Sequence, residues 1–363
     1  MRDVREIVKK ISEKTGKDVK ELEEEIDEIV SSYEGVLSRE TAAYLLARKY
    51  AVKLAEDVES FVIKPSELDH EVRRANVLGA VRELRERRDG TLELAIYDGK
   101  VVARCFLNAM SVKRGELFRG RAVLLKNAKV SVKSGRVTLS LNSKSEVVLD
   151  PLVSTKDLIH RSRRVKLRLT LEKIVGEVLV EGRGGIVYRI GGFVGSDEAG
   201  LVFVKLWDEA CSVLDELKVG DLLSVLGERI SLRNGFFEVH VNDADKVSLL
   251  GERRPRYETQ YLKPIPLNKV EPGMFFVDVV AFVDKVLETD EYAGIILSKG
   301  GARVPLILEK KKFIYADLRK SIKEGEGVLL QNVNVVSGTK GVKLKASMFT
   351  RARRWQNGEK EEG

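Results

Sequence analysis

The chain has 363 residues, 43% of them hydrophobic and 33% charged, with Lys+Arg 64 against Asp+Glu 56 and a formal net charge of +8. At roughly 100–200 residues per domain, that length divides into two to four compact units, and the hydrophobic content excludes wholesale disorder. Cys105 and Cys211 are the two cysteines, too few for a disulfide framework and without partners at zinc spacing, so no metal or cofactor is expected. No stretch of about 18 apolar residues occurs and the start is charged throughout, which predicts neither a membrane span nor a signal peptide and a cytoplasmic, nucleoid-associated location. Scarce Gln, Met and Cys beside abundant Lys, Arg and Glu is a compositional sign of a thermophilic source.

Residues 1–63 are helical in pattern. Val4, Ile7, Val8 and Ile11 form a short apolar stripe, and Val19, Leu22, Ile26, Ile29 and Val30 form a second, opened by Asp18 with Glu21 and stopped by Gly35. Ser38 opens a third, carrying Ala42, Leu45, Leu46 and Tyr50. Three such stripes close a small bundle. Its outer faces mix both charges, so it reads as a protein-docking head.

After Pro65 the periodicity becomes alternating, and the chain repeats itself. The blocks YDGKVVARCFLN from Tyr97, DEAGLVFVKLWDE from Asp197 and SKGGARVPLILEKK from Ser298 start about one hundred residues apart. Gly120, Gly220 and Gly325 each open a strand-like run, and the pairs Ser134-Gly135, Asn234-Gly235 and Lys340-Gly341 each lead into a hairpin. Gly120 to Gly135 and Gly220 to Gly235 are both fifteen residues, and Gly325 to Gly341 is sixteen. Five strands with a helical stretch between the third and fourth is the connectivity of the OB-fold. The expected architecture is therefore mainly β with a small α-helical N-terminal domain: three tandem OB-fold barrels at 70–150, 165–250 and 265–352, and a flexible tail at 353–363.

Between the repeats, HRSRRVKLR within Asp150–Arg168 and GERRPRYETQYLKPIP within Gly251–Asn268 read as linkers. Their basic content suits a phosphate backbone passing between barrels, or plain solubility.

In strand 201–207 alternation puts Val202, Val204 and Leu206 on one face, and Phe203, Lys205 and Trp207 on the other. The aliphatic face is the barrel core. The other pairs a cation with two rings, the arrangement that holds a phosphate while bases stack. The first repeat places Arg104 and Phe106 at the matching positions, followed by Asn108, with Cys105 inward as a small buried hydrophobe. On the final hairpins, Phe236 is the groove ring with Phe237 beside it and Arg233 before the turn. Arg136 is its counterpart in the first repeat. His240 reads as a solvent-facing strand residue. The third repeat has no ring at the groove position and carries Pro305 there, yet turns Lys343 and Lys345 outward, which predicts electrostatic binding or a protein-protein role.

These residues together resemble archaeal replication protein A, the large, multi-OB single-stranded DNA-binding protein. The head ISEKTGKDVKELEEEIDEIVSSYEGVLSRETAAYLLA is similar to that family's helical N-terminal module. VKLWDEACSVLDELKVGDLLSVLGERISLRNGFFEVHVND is similar to its OB core, with Trp207 and the Phe236/Phe237 pair at base-stacking positions, and Phe106-Leu107-Asn108 fits the same motif. The resemblance implies coating of single-stranded DNA in replication, recombination and repair. It also implies smaller OB-fold subunits, primase, polymerase or recombinase as partners, through the head or the third barrel. Some members carry a cysteine zinc ribbon near the last barrel; this chain has no such ligands. An enzyme with OB appendages is the rival class, but no G-x-x-x-x-G-K-[ST], H-E-x-x-H or paired acidic metal motif occurs, and GRGGIVYRIGG from Gly182 lacks dinucleotide spacing. A non-enzymatic binder is expected. The alternative readings are a single-stranded RNA-binding OB protein, since the same stacking chemistry serves RNA, or an OB-containing scaffold that binds proteins.

Overall fold

The computed structural model describes residues 4–32, 39–50, 62–68, 70, 72–89, 91–107, 114–142, 144–309, 315–338 and 341–355. Gly35, Ser38, Asn108 and Lys340 lie outside them. The chain divides into two units, residues 1–63 and 64–363. No described helix is long and apolar enough to cross a membrane.

In the first unit, helices α1 (Val4–Thr15), α2 (Val19–Ser32) and α3 (Arg39–Lys49) bury Ile7, Val8 and Ile11 against Leu22 and Ile26 and against Ala42, Ala43, Leu46 and Ala47. The alanines let α3 approach closely. Gly16 ends α1 at φ +74°, a conformation open to glycine without a Cβ penalty. Asp18 caps α2 by accepting from the Lys20 N–H at 3.0 Å. At the edge of this core the Glu25 carboxylate accepts from Lys17 (2.7 Å), Lys49 (2.8 Å) and the Tyr50 hydroxyl (2.6 Å), which hold its pKa down at about 2.

In the second unit, barrel 1 comprises β1 (Val72–Glu86), β2 (Leu92–Tyr97), β3 (Val102–Leu107), β4 (Ala122–Lys133) and β5 (Arg136–Ser140). Barrel 2 comprises β6 (Val165–Glu181), β7 (Val187–Ser196), β8 (Leu201–Trp207), β9 (Asp221–Gly227), β10 (Arg229–Arg233) and β11 (Phe236–Val241). Barrel 3 comprises β12 (Val277–Glu288), β13 (Tyr292–Lys299), β14 (Ala302–Glu309), β15 (Gly327–Gly338) and β16 (Gly341–Arg354). In barrels 1 and 3 the first strand bends at a bulge, pairs with the second along one half and with the fourth along the other, and so closes the ring. The third strand runs parallel to the fifth, as in Cys105↔Leu139 and Leu306↔Leu344. Strand order 1-2-3-5-4-1 is that of the OB-fold. Barrel 2 has the same neighbours, but its fourth strand is split into β9 and β10, leaving an open sheet. A helical element joins strands three and four: 3-10 turns at Asp208–Asp215 and Arg114–Glu116, and α4 (Tyr315–Ser321) in barrel 3.

The repeated glycines have one structural task. Gly120, Gly220 and Gly325 take φ +91°, +98° and +78°, and their N–H groups donate to Val81, Leu171 and Val283 on the first strand of each barrel at 2.7, 2.9 and 2.8 Å. An L side chain is strained in that backbone conformation, so the register recurs with the glycine. Ser134-Gly135 and Asn234-Gly235 hold both residues at positive φ, as a two-residue hairpin turn of this twist requires.

The segment between barrels 2 and 3 is fixed rather than free. The buried Glu172 carboxylate accepts from the Arg256 and Tyr257 N–H groups at 2.9 Å, and the Tyr261 hydroxyl donates to the Phe275 carbonyl at 3.1 Å. One apolar cluster runs from Val175, Ile190, Val194, Phe203 and Phe236 of barrel 2 into the core of barrel 3. β16 continues to Arg354, with the Trp355 N–H donating to Gly327 at 2.8 Å, so the first residues expected as a free tail complete the last ladder.

Candidate nucleic-acid interface

Barrel 1 turns Leu92, Leu94, Ile96, Ala103, Cys105, Leu107, Val137 and Leu139 inward, all buried. Burial pushes the Cys105 thiol up to about 12, so it is a neutral packing group. The alternate residues face out: Glu93, Ala95 and Tyr97 on β2; Val102, Arg104 and Phe106 on β3; Arg136, Thr138 and Ser140 on β5. Phe106 is half-buried with the Arg87 guanidinium 4.4 Å from its ring centroid, and Tyr97 has Arg82 at 5.8 Å. The Glu93 carboxylate takes Arg104 at 3.1 Å and Arg87 at 3.4 Å. Arg136 is exposed beside Lys133, and the two line an open cleft with Ser131, Ser134 and Thr138. This face therefore combines rings that each hold a guanidinium group over them with an exposed cationic cleft, groups that can stack on bases and pair with phosphates.

In barrel 2 the alternation holds, but what covers the outer face differs from the sequence expectation. Val202, Val204 and Leu206 are fully buried in the core. On the opposite face Phe203 is 1% exposed and Phe236 7%. Phe203 packs on Phe276 (centroids 4.3 Å) and Phe349 (5.7 Å), and Phe236 stacks on Phe275 (4.3 Å). The expected groove rings are thus a seam with barrel 3, because Phe275 and Phe276 pack directly over them. Gly192 makes this possible, since a Cβ there would sit 2.5 Å from the Phe203 ring.

Lys205, expected as a groove cation, is buried as well. It is 5% exposed, with its ammonium 4.6 Å from the Trp207 ring centroid. Burial lowers its pKa, partly offset by Glu238. It is a buried cation under an indole, not a free phosphate ligand. Trp207 itself is half-buried, edge-on to Tyr188 (6.1 Å, 89°). Its Nε1 donates to His240 Nδ1 at 3.1 Å, which fixes the neutral imidazole with its proton on Nε2, 2.8 Å from Ser231 Oγ. Ser231 in turn donates to Glu238 Oε2 at 3.3 Å. His240, read from sequence as solvent-facing, is the acceptor that sets the indole's orientation. Burial, then Lys205, Arg229 and Arg233, push its pKa down to about 4. Arg233 is exposed at the end of the hairpin, and Phe237 turns to the inner face with Val239 and Val241.

Barrel 3 carries no ring beside Arg303, Pro305 and Ile307 on β14. Arg303 pairs with Asp284 at 3.1 Å. The β14–β16 ladder spans Leu306 and Ile307 only, leaving Pro305 beyond it. Lys343 and Lys345 are half-buried on β16, and Lys345 Nζ donates to Asn234 Oδ1 of barrel 2 at 3.3 Å, so it ties the barrels together.

The structure therefore brings Arg104, Phe106 and Arg136 onto one open face, leaves Trp207 half-buried at the end of β8 against His240, with Arg233 exposed at the far end of the hairpin, and encloses Phe203, Phe236 and Lys205. Sequence reasoning passed over Tyr97, Arg87 and Tyr188. Outward parity with Glu93 and Ala95 marks Tyr97; nothing local marks Arg87 as the partner of Phe106.

Fold and faces define a protein of OB-type barrels. A scan against protein-family models finds no match, and a search of curated proteins finds none. Among solved structures the chain is similar to the p204 HINb domain, at 13% identity and TM-score 0.36 over 54% of this chain and 98% of that one. It is similar to a murine DNA-binding protein bound to double-stranded DNA, at 14% identity and TM-score 0.37 over 55% and 99%. The second OB-fold domain of replication protein A from Methanococcus maripaludis is similar at 15% identity and TM-score 0.24 over 28% and 95%. Likeness at these scores assigns neither family nor ligand, and the OB assignment rests on the strand order above.

Proposed function

We propose that this chain is a non-catalytic, sequence-tolerant single-stranded DNA-binding protein. The observation that carries the reading is the open face of barrel 1, where Tyr97 and Phe106 stand half-buried beside Arg82 and Arg87 with the Arg136–Lys133 cleft alongside. Stacking on a flat ring serves any base, at roughly 1–3 kcal/mol each, and a duplex keeps its base faces hidden. Trp207, held by His240, offers a further stacking edge on barrel 2. The role that fits is protection of exposed strands in replication, recombination and repair, in the cytoplasm at the nucleoid. The head serves as the docking module for smaller OB-fold subunits, primase, polymerase or recombinase. Competition of unlabelled single-stranded RNA and duplex DNA against labelled oligo-dT, at two salt concentrations, tests it. Oligo-dT binding that resists both competitors is expected; displacement by duplex at equal concentration overturns the reading, and displacement by RNA alone reassigns the strand.

A further inference from the structure

The run His160–Arg164 between barrels 1 and 2 is basic in sequence, but sequence leaves open whether its charge serves solubility or a ligand. In the structure it is stitched to both barrels within three residues. The Arg163 N–H donates to the Gly120 carbonyl (2.7 Å) and the Ala122 N–H to the Arg163 carbonyl (2.8 Å) on barrel 1. The Arg161 N–H donates to the Ile230 carbonyl and the Ile230 N–H to the Ser162 carbonyl, both 2.8 Å, on barrel 2. Gly120 allows the close approach: a Cβ there would lie 3.3 Å from the Arg161 carbonyl oxygen.

The backbone is also held where bulky residues seldom go. Arg161 and Arg164 take φ +69° and +58°. The buried Asp150 carboxylate anchors Arg121 at 2.9 Å and Arg164 at 2.8 Å. Ser162 turns inward, its hydroxyl donating to the Ile159 carbonyl at 2.7 Å. Arg161 and Arg163, on either side of it, are exposed, and among the described residues neither guanidinium makes an ion pair. β10, the strand stitched to this strap, carries exposed Arg229 and Arg233. A charge placed for solubility needs no such anchoring, whereas a guanidinium aimed at a phosphate loses less freedom on binding when its backbone is already fixed.

We propose that Arg161 and Arg163 form a phosphate-binding bridge carrying one continuous single strand from the open face of barrel 1 to the Trp207 edge of barrel 2. The proposal rests on the single-strand reading above. Its test is the full chain with Arg161→Ala and Arg163→Ala together, titrated with labelled oligo-dT of about 8 and about 30 nucleotides, the shorter fitting one barrel, across a salt series. For the long strand, the slope of log affinity against log salt should fall by roughly 1.4, at about 0.7 per phosphate released, while the short strand is unaffected. The Arg161→Lys, Arg163→Lys pair should retain the slope, and a thermal melt confirms folding. Equal losses on both lengths, or an unaltered slope, overturn the bridge. Phe106→Ala and Trp207→Ala run alongside separate the two failures. If both leave affinity untouched, the single-strand reading falls; if they weaken binding while the arginine pair leaves the slope unaltered, only the bridge falls.

Discussion

Phe236 of barrel 2 and Phe275 of barrel 3 stack with ring centroids 4.3 Å apart and planes 14° from parallel. A ring in that position belongs to the protein's own packing and not to a ligand. Phe236→Ala should therefore destabilise the chain by about 3–5 kcal/mol, the usual range for deleting a buried phenyl ring, while leaving oligo-dT affinity of the folded variant nearly unchanged. Urea unfolding and a binding isotherm below the transition check both halves.

The same seam holds an ion pair, Lys173 with Asp278 at 2.6 Å, whose carboxylate also accepts from the Asn332 N–H at 2.9 Å. Burial drives the Lys173 pKa down, so the ammonium depends on its partner. Asp278→Ala strands that cation and should cost about 3–5 kcal/mol, with much of the loss recovered by adding Lys173→Met. A double-mutant cycle in denaturant gives the coupling.

On barrel 1, Glu93 occupies both Arg104 and Arg87. Glu93→Gln should free them for phosphate, tighten oligo-dT binding several-fold at low salt and steepen the salt slope by roughly 0.7 for each phosphate newly engaged. Affinity that stays flat or weakens would show that Glu93 orients the guanidinium groups productively.

His240 gives a pH dependence of definite sign. Its folded pKa of about 4 lies below the ordinary 6.5, so the unfolded chain binds the extra proton first as pH falls. The contribution to stability is complete above pH 6.5 and is lost as pH drops toward 4. Protonation also removes the Nδ1 acceptor of the Trp207 indole, with Lys205, Arg229 and Arg233 opposing the new charge and Glu238 favouring it. Trp207 fluorescence, followed with Trp355→Phe, should change around pH 4, and His240→Gln should abolish the step.

The fold was legible because it repeats: Gly120, Gly220 and Gly325 mark the same positive-φ turn, and strict alternation on β3 and β8 assigns inner and outer faces. Alternation says which side a residue takes but not what lies above it. Alternation puts Phe203 and Phe236 on the side away from Val202, Val204 and Leu206, yet Phe275 and Phe276, roughly 40–70 residues further along the chain, close over them, a tertiary choice with no local periodicity. The same blindness applies to Lys205, whose burial depends on Trp207 and Glu238, and to the strap at Arg161–Arg163, where basic composition hid a fixed backbone.

The most direct measurement is photocrosslinking of 5-iododeoxyuridine oligomers to the full chain, with the attached residues mapped by mass spectrometry. Attachment at Tyr97, Phe106 and Trp207, and none at Phe203 or Phe236, is the expected result. Attachment at Phe203 or Phe236, or at no ring of barrel 1, would contradict an open stacking face on barrel 1 and a closed one on barrel 2.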